Sequence, residues 1–183
     1  MLLYTFQSND AVEVLKTKGI LTGDWAYVSK GYWQFSYEWM CRQMEKRGIA
    51  CQNNPPIWAF HSCEAWSRPP TFLTARALVS DIALESGMTT IVFEAPDDLV
   101  LLSSYRIWGG FWSEMDGVTG AIPKRRWGRM FNLKYFKEGD DLQACLPYLR
   151  LEWVKEVRPL DLPINKEDPL EVFVSDFDYT AFV

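Results

Sequence analysis

Six residues in this 183-residue chain carry the side chains that a small-molecule site needs: Thr5, Gln7, Trp58, His61, Arg106 and Trp108. A hydroxyl and an amide can orient a ligand by hydrogen bonds, indoles supply a flat apolar wall, and imidazole and guanidinium add proton transfer or positive charge. A mostly apolar wall with a few convergent polar groups is the general form of a ligand pocket. The opening strand raises the question, because Leu2, Tyr4 and Phe6 alternate in "LLYTFQS" with Leu3, Thr5 and Gln7. Successive strand residues point to opposite faces. If Leu2, Tyr4 and Phe6 face the core, then Thr5 and Gln7 face something wetter, as a ligand-binding sheet face would. Trp58 and His61 are three apart, so a regular strand separates them and only a bulge or a strand end between them lets them share a pocket. Arg106 and Trp108 follow the tight turn signal Pro96-Asp97-Asp98.

A second constellation is basic and aromatic. Lys124, Arg125, Arg126, Arg129, Lys134 and Lys137 lie without an intervening acid before Lys137, interleaved with Trp127, Phe131, Tyr135 and Phe136. Cations for phosphates and rings for bases are the pattern of single-stranded nucleic-acid contact. Lys124, Arg125, Arg126, Trp127 and Arg129 are therefore the candidate nucleic-acid or partner contacts. From Leu160 to Val183 six acids stand against Lys166, a net of -5, which equals the charge of the whole chain and leaves residues 1–159 neutral. The acidic total opposes tight non-specific binding to nucleic acid, where net electrostatics dominates. The acids alternate with Phe173, Phe177, Tyr179 and Phe182, and such an arm suits a protein partner or an exchange between two copies. It also suits an intramolecular contact with the basic stretch.

Several chemistries are excluded by what the chain lacks. One histidine and four cysteines (Cys41, Cys51, Cys63, Cys145) without C-x-x-C spacing leave no ordinary zinc site. "HSCE" at residues 61–64 misplaces the glutamate of a zinc deaminase by one position and has no P-C-x-x-C partner. "WGGFW" is no phosphate loop, and Cys63 has no triad spacing. The chain has no run of ~20 apolar residues and no basic-then-apolar leader. With reduced thiols, that leads us to expect a cytoplasmic protein without a membrane partner.

The elements that must hold these residues are short. Asp10 and Glu13 have the form of a capping box opening a helix of about two turns, which Gly19 would end. Trp33, Tyr37, Met40 and Met44 predict a helix over 32–47. "NNPP" breaks the chain before a strand over 56–62. Residues 73–85 are ambiguous and lean towards strand in part, and 88–98 is a strand ended by Pro96. The chain is then extended to Ser103 and helical beyond it, and late strands cover 143–150 and 153–157. The expected fold is α+β: a single domain over 1–159 with a mixed, mostly antiparallel sheet and two or three helices, plus an acidic C-terminal arm over 160–183. Nine Trp, eight Tyr and eleven Phe supply a large aromatic core.

"LYTFQS", "PIWAF", "PDDLVLLSSYRIW" and "LQACLPYLRLEWVKEVRPL" together resemble the landmarks of an uncharacterised bacterial domain-of-unknown-function family, over roughly residues 2–158. Ser104 and Tyr105 stand where its members often carry an acidic residue and an aromatic. That resemblance implies a fold and no activity. The layout of Y-T-x-Q strand, helix, glycine and aromatic loop is also similar to the opening of an ADP-ribosyltransferase-type fold. This similarity implies NAD as cofactor, with Gln7 or Thr5 holding its nicotinamide amide. A carboxylate, Glu94 or Glu152, would stabilise the oxocarbenium-like transition state. The Q/E-x-E setting of the known toxins is absent, since Gln143 is followed by Ala144 and Cys145. The residues themselves assign no cofactor. The expectation is a sheet-face pocket for a nucleotide-like ligand, in its enzymatic form an ADP-ribosyltransferase-like protein. The alternative is a non-enzymatic inhibitor or accessory module acting through its basic stretch or acidic tail.

Overall fold

β1 (Leu2–Ser8) is paired on both sides, which places the N-terminus in the middle of the sheet rather than at its rim. The computed structural model describes residues 1–63, 69–76, 79, 81–115, 125–136 and 140–160. On one side β1 runs antiparallel to β4 (Met88–Glu94) from Leu2↔Glu94 to Ser8↔Met88. On the other it meets β3 (Ile57–Ser62) at Tyr4↔Phe60. β6 (Leu142–Leu146) adds to β3, β5 (Leu101–Ser104) to β6, and β8 (Val154–Pro159) to β4. The order is β5-β6-β3-β1-β4-β8, antiparallel at every pair, and β2 (Ile20–Thr22) with β7 (Tyr148–Arg150) forms a separate two-stranded ribbon. The helices are α1 (Asn9–Lys18), α2 (Tyr32–Glu45), the short α3 (Phe72–Arg76) and α4 (Asp81–Glu85), and α5 (Tyr105–Met115). The architecture is the expected α+β domain. Among the described residues no helix is long and apolar enough to cross a membrane.

The burial of β1 overturns the reading of the first strand, because the face it hides is the one carrying Leu3 and Thr5. Directly opposed residues share a face, so Leu3 lies beside Phe93 and Thr5 beside Ile91. α1 and the β2–β7 ribbon cover this face, with Val12, Leu15, Leu21 and Leu149 packed against Leu3, Ile91 and Phe93. Leu3 is fully buried whereas Leu2 is 46% exposed, the reverse of the expected assignment. The physical reason is local: β1 turns straight into α1, which folds back over the face carrying Leu3 and Thr5. The opposite face carries the aromatic core, in which α2 and α5 bring Trp39, Met40, Met44, Trp108 and Phe111 together with Trp127 and Met130.

Local chemistry sets the element ends. Ser8 caps α1, its hydroxyl accepting from the Ala11 N–H at 3.3 Å, and Glu13 pairs with Lys16 at 2.7 Å, so the Asp10–Glu13 capping box does not form. The helix accordingly runs ten residues, longer than the two turns expected. Gly19 closes it at φ 73°, a left-handed conformation that glycine adopts without a Cβ penalty. Residues 72–76 and 81–85 are helical where strand is expected for part of 73–85. There the Ala75 N–H bonds the Thr71 carbonyl at 3.2 Å, closing an i→i+4 turn before any ladder forms, and Ala75 and Leu84 are buried.

The loop before β3 is clamped by Trp25, whose indole donates to the Asn53 carbonyl at 2.7 Å, and by Gly23, where an added Cβ would collide with the Pro55 carbonyl. Gly23→Ala should therefore lower stability by about 1–3 kcal/mol in a urea titration. Gly128→Ala, where a Cβ meets nothing within 4 Å, should stay within about 0.5 kcal/mol.

Candidate functional site

The structure distributes the six candidate pocket residues over four places. Thr5 is buried, its hydroxyl donating to the Trp58 carbonyl at 2.7 Å and accepting from the Gln7 amide at 2.7 Å. The pair stitches β1 to β3 beside the Tyr4↔Phe60 position, which engages the Thr5 hydroxyl and a Gln7 amide N–H within the sheet. Thr5 is thus a core residue, not one on a wet face.

Trp58 points the other way, into the aromatic layer, 4.9 Å from the Trp108 ring and edge-on to Tyr37 at 5.3 Å. Trp108 is 4% exposed and packs on Phe111 and Trp39. The Trp58 indole N–H is buried without a well-formed hydrogen bond, with the Tyr37 phenol as its polar neighbour. Burial pushes the Tyr37 phenol up to about 12, outweighing the small opposite pull of that N–H. The sign follows: an unfolded phenol ionises near pH 10 while the folded one stays protonated, so stability present below pH 10 is lost as pH rises towards 12. Tyr37→Phe should remove about 1–1.5 kcal/mol of alkaline loss between pH 9 and 11, read as urea midpoints at those two values.

His61 sits at the irregularity of β3, where the register slips between Phe60↔Gln143 and Ser62↔Leu142. Its Nδ1 lies 3.0 Å from the Ser62 hydroxyl, and burial lowers its pKa below the ordinary histidine value. The bulge exists, but Trp58 is already committed to the aromatic layer. Arg106 is spent on Asp140, with Nε at 2.5 Å and Nη2 at 3.2 Å from the carboxylate. The Ser104 hydroxyl donates to the same carboxylate at 3.1 Å and accepts the Ile107 N–H at 3.2 Å, capping α5. The other chemical candidates are engaged as well. Glu94 pairs with Lys155 at 3.1 Å, Glu152 with Arg150 at 3.5 Å, and the Cys63 thiol lies 3.3 Å from the Thr74 hydroxyl.

The basic stretch divides differently from its sequence reading. Trp127 is 6% exposed and Met130 fully buried, so Trp127 is an anchor in the core rather than a stacking platform. It faces inward because the 3-10 stretch Arg125–Phe131 packs on α5, with the Trp127 ring edge-on to Phe111 at 5.7 Å. Lys124 lies outside the described residues, and Arg125 and Arg126 are described by backbone alone. What reaches the surface is Arg129 and Lys134, with their cations 5.2 and 4.9 Å from the Tyr135 ring centroid. Beside them Arg47, at the end of α2, lies 4.3 Å above the Phe131 ring, which stacks in turn on Trp39. Arg47 joins this patch from about 80 residues upstream in sequence, a juxtaposition that only the packing of α2 on the 3-10 stretch creates. The spacing of Arg129, Lys134 and Tyr135 did signal its other half.

Arg129 and Lys134 have no carboxylate partner among the described residues. Cation–ring contacts at exposed sites are worth only about 0.5–1 kcal/mol, so these charges remain open to an anion. A shallow groove of about 150 Å³ between α1 and β8, lined by Asn9, Val12, Lys16, Thr89 and Val157 among others, is smaller than a pocket for a nucleotide-sized molecule. Among the described residues no group of three His, Cys, Asp or Glu is placed to hold a metal ion.

No curated protein and no solved structure matches the chain. The family model of the domain of unknown function DUF3841 matches residues 2–144, from the first strand into β6, and the chain belongs to that family.

Proposed function

We propose that this protein is a non-enzymatic binding module whose contact surface is the cation–aromatic patch of Arg47, Arg129, Phe131, Lys134 and Tyr135. The partner class is single-stranded nucleic acid. The observation that carries this reading is the 37% exposed Tyr135 ring flanked by two cations that have no carboxylate partner among the described residues. Phosphate oxygens suit the cations, and an unstacked base suits the ring. The engagement of Thr5 and Gln7 with each other supports this reading over ADP-ribosyl transfer, which needs a first-strand group open to the nicotinamide. Four buried free thiols fit work in a reducing compartment such as the cytoplasm.

The test is fluorescence anisotropy with a labelled single-stranded 20-mer across salt concentrations. Each phosphate contact contributes about -0.7 to the slope of log affinity against log salt, so three cations predict a slope of about -2. Arg129→Ala with Lys134→Ala should bring that slope to about -0.7. Tyr135→Ala should cost about 1–3 kcal/mol with the slope unchanged. Absence of binding at 20 mM salt both by the native chain and by a chain whose C-terminal acids are neutralised, or equal affinity for blunt duplex, would sink the reading. A thermal shift in millimolar NAD that Gln7→Ala abolishes would instead favour the enzymatic alternative.

A further inference from the structure

We infer that the acidic arm, residues 161–183, occupies the same cation–aromatic patch and competes there with nucleic acid. This rests on the reading just given. The arm carries six acids against one lysine, with Phe173, Phe177, Tyr179 and Phe182 among them, so it offers carboxylates where a nucleic acid offers phosphates and rings where it offers bases.

Charge decides which surface it takes. The cations beside the point where the chain leaves the sheet are already paired, Lys155 with Glu94 at 3.1 Å and Arg158 with Glu156 at 3.3 Å. Arg129 and Lys134 carry no such partner among the described residues. Distance allows the contact. Leu160 donates to the Met88 carbonyl at 2.9 Å, next to the β8 rim. The patch lies on the α2 and α5 side of the far rim at β5. Five strand spacings of about 4.8 Å separate the two rims, roughly 24 Å. Twenty-three extended residues span up to about 75 Å, ample for the crossing. A tethered segment acts at an effective concentration in the millimolar range, so even a weak contact occupies the patch.

The test uses the full chain and two readouts. Carbodiimide cross-linking at 20 mM salt, followed by peptide mass spectrometry, should join the Lys134 Nζ to an arm carboxylate with loss of one water. At 500 mM salt the product should vanish. An equal mixture of isotope-labelled and unlabelled protein should give products within single chains. Products joining labelled to unlabelled chains would overturn the intramolecular contact in favour of an exchanged dimer, and absence of any Lys134 product would overturn the contact altogether. In parallel, a full-length variant with Glu167→Gln, Asp168→Asn, Glu171→Gln, Asp176→Asn and Asp178→Asn should bind the single-stranded 20-mer at least tenfold tighter at 20 mM salt. If that variant binds the oligonucleotide no better than the native chain does, the arm is not a competitor and the patch reading stands. If the cross-link forms but neither protein binds the oligonucleotide, competition fails together with the nucleic-acid reading, and only the arm's contact with the patch survives.

Discussion

Replacing Phe111 with alanine will destabilise the protein by about 3–5 kcal/mol. Phe111 is fully buried at the centre of the aromatic layer, 4.6 Å from the Trp39 ring, 5.0 Å from Trp108 and 5.7 Å from Trp127. Those rings come from α2, α5 and the 3-10 stretch, so this one side chain joins all three pieces that cover this face. Removing it costs the transfer energy of the benzyl group and opens a cavity. Three indoles cannot collapse into that space without leaving their rotamers, so the cavity term persists. Loss on this scale is a large part of the 5–15 kcal/mol typical of a folded domain. Urea unfolding followed by tryptophan fluorescence should show the midpoint falling with little change in slope, and Phe111→Leu should recover more than half. A loss below about 1 kcal/mol would mean that the layer repacks freely. The patch should weaken in the same variant, because Arg47 rests on Phe131 and Phe131 stacks on Trp39 at 5.8 Å.

How much of this was legible in the sequence depends on whether the signal was local. The Gly19 stop, the helix over 32–45 and the switch from strand to helix after residue 104 all follow from side chains a few positions apart. The α1 cap was missed by two positions because Ser8 competed with Asp10 for the same role. Leu3 and Thr5 were misassigned for a deeper reason. Alternation shows that the two faces of β1 differ but not which one is buried. The fold-back of α1 covers Leu3 and Thr5 and leaves Leu2 46% exposed, a tertiary outcome that the spacing does not contain. Trp127 was read outward for its basic neighbours, yet a 3-10 stretch turns every third residue the same way, and Trp127 and Met130 form its buried side. The pocket of six residues rested on placing β1, β3 and α5 side chains on one face, a tertiary statement that no spacing contains. Arg129, Lys134 and Tyr135 meet because they lie within seven residues of one another, whereas Arg47 reaches them only through packing.

Removing the Asp140 carboxylate will test whether Arg106 is a structural residue or a ligand residue. Asp140 is 2% exposed and receives two bonds from the Arg106 guanidinium and one from the Ser104 hydroxyl. Together with the bond from the Tyr105 N–H to the Asp141 carbonyl at 2.9 Å, these fix the start of α5 to the segment that leads into β6. Asp140→Ala leaves a serine and an arginine short of their acceptor. Arg106 is 30% exposed and can regain water, so the cost should be about 2–3 kcal/mol, below the 3–5 of a fully buried pair. Arg106→Ala should cost at least as much, because the stranded group is then a buried carboxylate. The double variant should be less destabilised than the sum of the two by about 1–3 kcal/mol, the coupling expected of a bidentate pair. Chemical denaturation of the four proteins closes this cycle. If Arg106→Ala left stability within about 0.5 kcal/mol while changing ligand binding, the guanidinium would belong to a binding site rather than to the joint between α5 and the sheet. If the coupling appears instead and oligonucleotide affinity is unchanged in the folded variants, Arg106 acts by holding α5, and through Trp108 and Phe111 the aromatic layer on which the surface patch is built.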